Sequence, residues 1–319
     1  MAFMFRVTPA HRIALHGIEA SRRLESAAAA VLPPHTLMQR AGLAVARMAL
    51  ALAPHARTIW IACGPGNNGG DGLEAAMHLQ RWGQHPVVTW LGDEASAPED
   101  ARASLARARS AGVTFSAMPP EGLGRDDLCI DALLGIGATR APQGRMADWL
   151  RTLQASPAPV LAVDLPSGLN AETGNFAPDS IAGDDHSTMG SWQIQAENTL
   201  SLLSCKPGLF TAYGRDAAGT VWFDDLGVDS SAEPACAWTN GAPVPAHRLH
   251  VSHKGTRGDV AVIGGECLSR RGLGMTGAAL LAASAALHGG AGRVLVSLFD
   301  DGAMTLDPAL PELMFRRFE

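Results

Sequence analysis

Apolar residues recur at Leu37, Ala41, Ala44, Val45, Met48 and Leu52. That is the spacing of one helical face, so the pattern predicts a helix over 36–52 with Thr36 as its cap. The apolar run 58–63 suits a buried strand, and the Gly/Asn-rich stretch 64–72 a turn. Ala75, Leu79 and Trp82, at i, i+4 and i+7, predict a helix ending near Trp82. The alternation continues with a strand over 87–91, a charged, Ala-rich helix over 95–112, a strand over 128–134, a helix over 146–154 and a strand over 160–163. Later strands are expected near 199–203 and 220–223. Strands alternating with helices imply parallel βαβ units and a Rossmann-like, three-layer, doubly wound α/β sheet. Ligands of such sheets sit beyond the C-terminal strand ends, where the unusual polar segments of this chain fall.

Residues 229–247 are rich in Pro, Ala, Ser and Gly and read as a linker. A second pattern follows: a strand over 259–263, a turn at Gly264–Gly265, a helix over 275–288 and a strand over 293–297. The expected organisation is a first domain over 1–230, a linker over 231–247 and a second α/β domain over 248–319. Roughly 70 residues is thin for an independent α/β domain. Apolar surface is therefore expected to stay exposed there at Leu280, Leu281 and Val294 to Val296, with poor solubility.

Composition narrows the function classes. The 319 residues are 47% apolar and 5% aromatic, so Ala, Leu, Val and Ile must fill the core. The net charge is -6 and there is no basic block, which argues against nucleic acid as a partner. Of 25 basic residues only Lys206 and Lys254 are lysines. The five cysteines form no C-x-x-C pair and no zinc spacing, as fits reduced thiols in a cytoplasm. The N-terminus lacks a secretory pattern, and the most apolar early run, 41–53, carries Arg47 and is too short to span a bilayer. The expectation is a soluble, cytoplasmic protein with no membrane partner.

Three segments carry candidate chemistry. The first is CGPGNNGGDG, Cys63 to Gly72. It contains G-x-G-x-x-G at Gly64, Gly66 and Gly69 between a strand and a helix, which can cradle a phosphate at a helix N-terminus. Asp93, near the end of the next strand, stands where a ribose-binding acid can sit. The polar Asn67, Asn68 and Asp71 are unusual for a dehydrogenase fingerprint. They suit either a site that does chemistry directly or an Asx-rich turn with Asp71 as a helix cap, and spacing alone leaves both open. The second segment is DALLGIGATRAP. Asp131 ends an apolar strand, where an unpaired carboxylate is costly. Gly135 and Gly137 open the following loop, and Arg140 can meet a phosphate. The third segment, VDLPSGLNAETG, places Asp164 at another strand end with Ser167 in the turn after it. Asn68, Asp131, Asp164 and Ser167 form an all-oxygen set suited to a hard cation such as K⁺, Mg²⁺ or Ca²⁺. The histidines are scattered; His186, beside Asp184 and Asp185, is expected in a solvated loop.

In this order the three segments resemble the signature of the NAD(P)H-hydrate epimerase domain. LMQRAG (Leu37 to Gly42), CKPGL (Cys205 to Leu209) and GRDAAGTVWFDDLGV extend the resemblance over about residues 19–229. The resemblance implies repair of damaged nicotinamide cofactor, by interconverting R and S forms of NAD(P)H hydrated at C6. It implies that Asn67, Asn68, Gly69, Gly70 and Asp71 contact the substrate. It implies that Gly135, Ile136, Gly137, Ala138, Thr139, Arg140 and Ala141 bind the substrate phosphates. Asn68, Asp131 and Ser167 would hold K⁺, and Asp164 would contact the nicotinamide hydrate as the acid/base. A carboxylate beside a cation favours the base role for Asp164. A homo-oligomer, dimer or higher, is expected. The segments His253 to Gly265 and Gly274 to Val296 resemble the opening of an ADP/ATP-dependent NAD(P)H-hydrate dehydratase domain, a ribokinase-like fold. ADP or ATP with Mg²⁺ is expected only with a complete domain of that kind, and this one reads as truncated. The competing readings are a Rossmann dehydrogenase acting on intact NAD(P) and a nucleotide-binding module without turnover.

Overall fold

A computed structural model describes residues 4–138, 140–177, 193–243, 249–268, 272, 274–299 and 304–317. The chain forms two compact units, Met1–Ala242 and Pro243–Glu319.

The first unit is built on an eight-stranded sheet. Its core strands are β3 (Ile59–Cys63), β4 (Pro86–Trp90), β5 (Thr114–Ser116), β6 (Leu128–Ala132), β7 (Val160–Val163), β8 (Asn198–Leu202) and β9 (Thr220–Asp224), all parallel. β1 (Phe5–Arg6) adds an antiparallel edge on β9. The spatial order is β1-β9-β8-β7-β6-β3-β4-β5. The order of connection therefore reverses between β3 and β6, the crevice where a doubly wound sheet binds ligands.

β3 shows how three layers follow from the sequence. Its side chains alternate across the sheet. Ile59, Ile61 and Cys63 pack with Val45 and Met48 of α2 (Thr36–Leu52), Leu73 and Leu79 of α3 (Asn67–Arg81), and Leu105 of α4 (Glu99–Ser110). Trp60 and Ala62 face Trp149, Leu150 and Leu153 of α5 (Arg145–Ala155). Both faces are covered, so the strand reads as one continuous apolar run. Trp60 is fully buried and its indole N–H donates to Thr89 Oγ1 at 2.9 Å.

Several expectations shift. Thr36 is the first helical residue of α2, and the cap position is His35, in the left-handed conformation. Residues 67–72 are helical rather than a turn, and Asp71 lies in the second turn of α3, so it caps nothing. The expected linker contributes β10 (Ala237–Trp238), paired antiparallel with β2 (Ala14–Leu15), which extends the first unit to Ala242. α1 (Ile18–Val31) and α6 (Gly214–Ala217) complete the unit.

In the second unit, β11 (Asp259–Glu266), β12 (Arg293–Phe299) and β13 (Met314–Phe315) are parallel, in that order, beside α7 (Thr276–His288). Gly264 and Gly265 do not end the strand. They take φ of +153° and +80° inside β11, where its register on β12 shifts. The core is small: Ala283, Val294, Val296 and Leu313. Val294 and Val296 are thus buried, contrary to the expected exposure, because β12 is the central strand. Leu281 is exposed as expected.

Candidate active site

A cavity of about 780 Å³ opens at the C-terminal ends of β3, β6, β7 and β8. That size suits a small-molecule ligand. Its lining draws together Asn67, Asn68 and Asp71 of α3, the 133–138 segment after β6, Asp164 after β7 and Lys206 after β8. Glu25 of α1 lies on the same wall.

The glycines of the first motif divide by role. A Cβ on Gly64 would meet the Leu133 carbonyl oxygen at 1.8 Å, and one on Gly69 the Gly64 oxygen at 2.0 Å. These two glycines serve the close approach of the protein's own backbone. Gly66 and Gly137 face open space, and both line the cavity. A dinucleotide fingerprint divides its glycines in the same way, the first for the tight turn, the second for approach to the pyrophosphate and the third for close packing, so the glycines alone do not separate the two readings. Asp93 lies outside the cavity lining and accepts from Ala95 N and Ser96 Oγ as a turn cap.

Asp131 is fully buried at the end of β6. Its carboxylate accepts from Ser167 Oγ at 2.6 Å, Ser167 N at 2.8 Å and Leu133 N at 3.2 Å. Burial still raises its pKa, and these three donors only oppose the shift. The Nδ2 of Asn68 is buried without a hydrogen-bond partner. A buried carboxylate, a hydroxyl and an amide thus come from three different strand ends. Among the described residues no group of three His, Cys, Asp or Glu side chains is placed to hold a metal ion.

Asp164 is non-glycine with φ of +67°. Its Oδ1 accepts the Leu202 amide at 3.2 Å and an ion pair from Lys206 Nζ, which also donates to Leu202 O at 2.7 Å. Lys206 is only 2% exposed. Breaking such a buried pair costs about 3–5 kcal/mol. Among the described non-glycine residues five have positive φ, and four of them, His35, Asp164, Leu203 and Leu226, line the cavity. Backbone strain of this kind costs on the order of 1–3 kcal/mol per residue and gathers at functional sites. Asp71 is half-buried on the cavity wall. Burial lifts its carboxyl well above the ordinary range, and the charges of Asp164 and Glu25 push the same way against Lys206.

The structure therefore brings together Asn67, Asn68, Asp71, Gly135, Ile136, Gly137, Ala138 and Asp164 in one lining, with Asp131 and Ser167 buried beneath the 133–134 segment through the Leu134 N to Ser167 Oγ bond. Gly69 and Gly70 are buried in packing and do not face the cavity. A Cβ on Gly70 would meet the Met38 side chain at 2.7 Å. Arg140 is exposed and Ala141 half-buried, both outside the lining. Thr139 lies outside the described residues, as do Asp184, Asp185 and His186. Lys206 and Glu25 are the residues that sequence reasoning missed. The signal for Lys206 was its rarity, one of two lysines, set directly after an apolar strand.

The family model described as YjeF-related protein N-terminus matches residues 34–208. The chain is 36% identical to the bifunctional NAD(P)H-hydrate repair enzyme Nnr of Escherichia coli, over 92% of this chain and 55% of that one. It is 32% identical to the bifunctional NAD(P)H-hydrate repair enzyme of Leishmania braziliensis, over 89% of this chain and 50% of that one. It is 33% identical to the corresponding Nnr of Vibrio cholerae, over 87% and 54%. The chain spans about half the length of the curated relatives it matches.

Proposed function

This chain belongs to the YjeF-related protein N-terminus family, and on that premise we propose that its first unit is an NAD(P)H-hydrate epimerase, interconverting the R and S forms at C6 of the hydrated nicotinamide. The observation that carries the reading is the Asp164–Lys206 ion pair set in strained backbone on the wall of the switch-point cavity. C6 bears a hydroxyl beside the ring nitrogen. Inversion needs that hydroxyl lost and regained, or the ring opened and closed, and both routes need a placed proton acceptor and donor. Asp164 is the acceptor, and Lys206 holds its carboxylate in place.

Asn68, Asp131 and Ser167 would hold a K⁺ ion. The fit rests on the donor set, since the buried Asp131 carboxylate, the Ser167 hydroxyl and the Asn68 side-chain oxygen are the oxygen ligands that a hard cation takes. A buried cation there would offset the Asp131 charge and fix the 133–138 loop through Ser167. Gly66 and Gly137 leave room for the substrate phosphates beside the first turn of α3. We assign no reaction to the second unit. Nucleotide-dependent dehydration, expected only of a complete second domain, is not part of this proposal.

The test is a chromatographic assay of the purified chain on R-NADHX with K⁺. Conversion to the R/S mixture well above the spontaneous rate supports the reading. A rate equal to the spontaneous one overturns it. Among the described residues no helix is long and apolar enough to cross a membrane.

A further inference from the structure

Four carboxyls line the cavity, those of Glu25, Asp71, Asp100 and Asp164, with Lys206, Arg22 and His35 as the basic groups; Arg22 is paired with Glu19 and His35 with Asp100. Glu25 comes from α1, Asp71 from α3, Asp164 from the β7 end and Lys206 from the β8 end. The ammonium is committed, since Lys206 Nζ donates to Asp164 and to the Leu202 carbonyl. Among the described residues no hydrogen bond or ion pair reaches the Asp71 carboxyl, which faces the cavity. The other titratable groups around it cannot supply a countercharge. Glu74, one turn on, is paired with Arg107 at 2.7 Å. Cys63, beneath it, is held as a thiol by burial. Glu25 is itself pushed toward its neutral form by burial and by Asp164. With Arg22, His35 and Lys206 each committed to another carboxylate, Asp71 and Glu25 are left without a cationic partner, and burial favours their protonated forms. Neither accepts a hydrogen bond among the described residues, and Asp71 is the one that stands at the strand-end crevice, on the helix that follows β3.

We infer that Asp71 is a second catalytic residue, the carboxylic acid that protonates the departing C6 hydroxyl, while Asp164, positioned by Lys206, receives the proton of the returning water. The inference rests on the epimerase reading above. In the step, the Asp71 O–H proton passes to the hydroxyl oxygen. The C6–O bond breaks and its electron pair leaves with water. The ring-nitrogen lone pair forms a C6=N bond, and the resulting cation lies beside the carboxylates of the cavity. A water oxygen then adds to C6 from the opposite face, the C=N pair returns to nitrogen, and the excess proton goes to Asp164. One water is released and one consumed, with no oxidant or reductant. A proton has moved from Asp71 to Asp164 and returns through cavity water. The two carboxyls thus exchange roles between the forward and reverse directions, as an epimerisation requires. Lys206 is a positioning residue, acting on substrate only through Asp164.

The experiment compares the full chain with Asp71→Asn and Asp71→Glu on R-NADHX, with K⁺, from about pH 6 to about pH 9. Asp71→Asn is expected to lose about 100-fold or more in kcat, with KM held within about threefold. Asp71→Glu is expected to recover part of the loss. The wild-type rate is expected to fall on the alkaline side as Asp71 gives up its proton, and the residual rate of Asp71→Asn to lack that limb. Turnover in oxygen-18 water is expected to place the label at C6. A variant within about threefold of wild-type kcat, or a loss confined to KM, overturns the inference. If the variants do not fold, the wild-type profile and the label decide: no alkaline limb, or retention of the original oxygen, overturns it. An inactive wild type overturns the epimerase reading itself, and this inference with it.

Discussion

The two units use the same parallel strand-and-helix grammar and reach opposite results. In the first, a seven-strand parallel run carries helices on both faces, and fully buried Trp60 and Trp149 anchor one layer. In the second, three parallel strands meet one helix, whose sequence TGAALLAASAALH is apolar nearly all round. A helix of that kind is at home only when surrounded, yet Leu281 on α7 is 74% exposed and Ile263 on β11 is 61% exposed. Polar groups follow the same division. The first unit has a crossover where strand order reverses, so loops from β3, β6, β7 and β8 converge on one crevice. Convergence, not strand content, makes a candidate site.

The sharpest break of that comparison is Lys206→Met. Methionine keeps much of the volume and removes the ammonium. Asp164 would then lose its ion-pair partner and the contact that fixes its carboxylate at the cavity wall. We expect epimerisation to fall about 100-fold or more. Stability should drop by about 3 kcal/mol in the first unit. Initial rates across pH, with a thermal melt alongside, decide it. A rate near wild type would mean that the pair is structural.

Cores of different size should respond differently to truncation. Trp60→Ala removes a fully buried indole and its bond to Thr89, so about 3–5 kcal/mol is expected. Val296→Ala in the second unit removes much less buried volume, and about 1–3 kcal/mol is expected. Denaturant melts of both variants test the order. Equal losses would contradict the contrast in packing.

Most of the first unit was legible because its central strands are covered on both faces. β3, β6 and β7 are continuous apolar runs, and Asp131 and Asp164 stood out where those runs stop. What was not legible has local causes. β1, β2 and β10 are two residues each, too short for any period. α1 is Ala-rich with no capping side chain at Gly17. Residues 67–72 look like a turn by composition, yet they are helical because Gly69 and Gly72 let α3 lie on the backbone of Gly64 and on Ala132. There, packing overrides glycine's poor helix propensity. Glu25 reaches the site only through the tertiary placement of α1, which no local pattern encodes.

Cation binding offers a smaller effect of definite sign. The Asp131 carboxyl has a raised pKa in the folded state, so the native chain holds more protons than the unfolded one above about pH 4. Stability from this group is present at low pH and falls as pH rises through that window. A cation on the carboxylate reverses part of the fall. Replacing K⁺ by tetramethylammonium should therefore lower the melting temperature more at about pH 7 than at about pH 5, corresponding to about 1–3 kcal/mol at saturating K⁺. Differential scanning fluorimetry reads it directly. A K⁺ response that persists in Asp131→Asn would place the ion elsewhere.

The smallest expected effect tests the second unit. Leu281→Gln changes a side chain that gains little from folding, since it is 74% exposed. Its stability cost should lie within about 0.5 kcal/mol. Solubility should improve, because the change breaks an apolar patch. The paired change Ala283→Gln, on the buried face of the same helix, should instead unfold the unit, because a buried amide has no partner there. Chemical melts and soluble yield of the two variants separate the faces. If Leu281→Gln destabilised as much as Ala283→Gln, the exposed face of α7 would be covered in solution, and the contrast between the two units would close from that side.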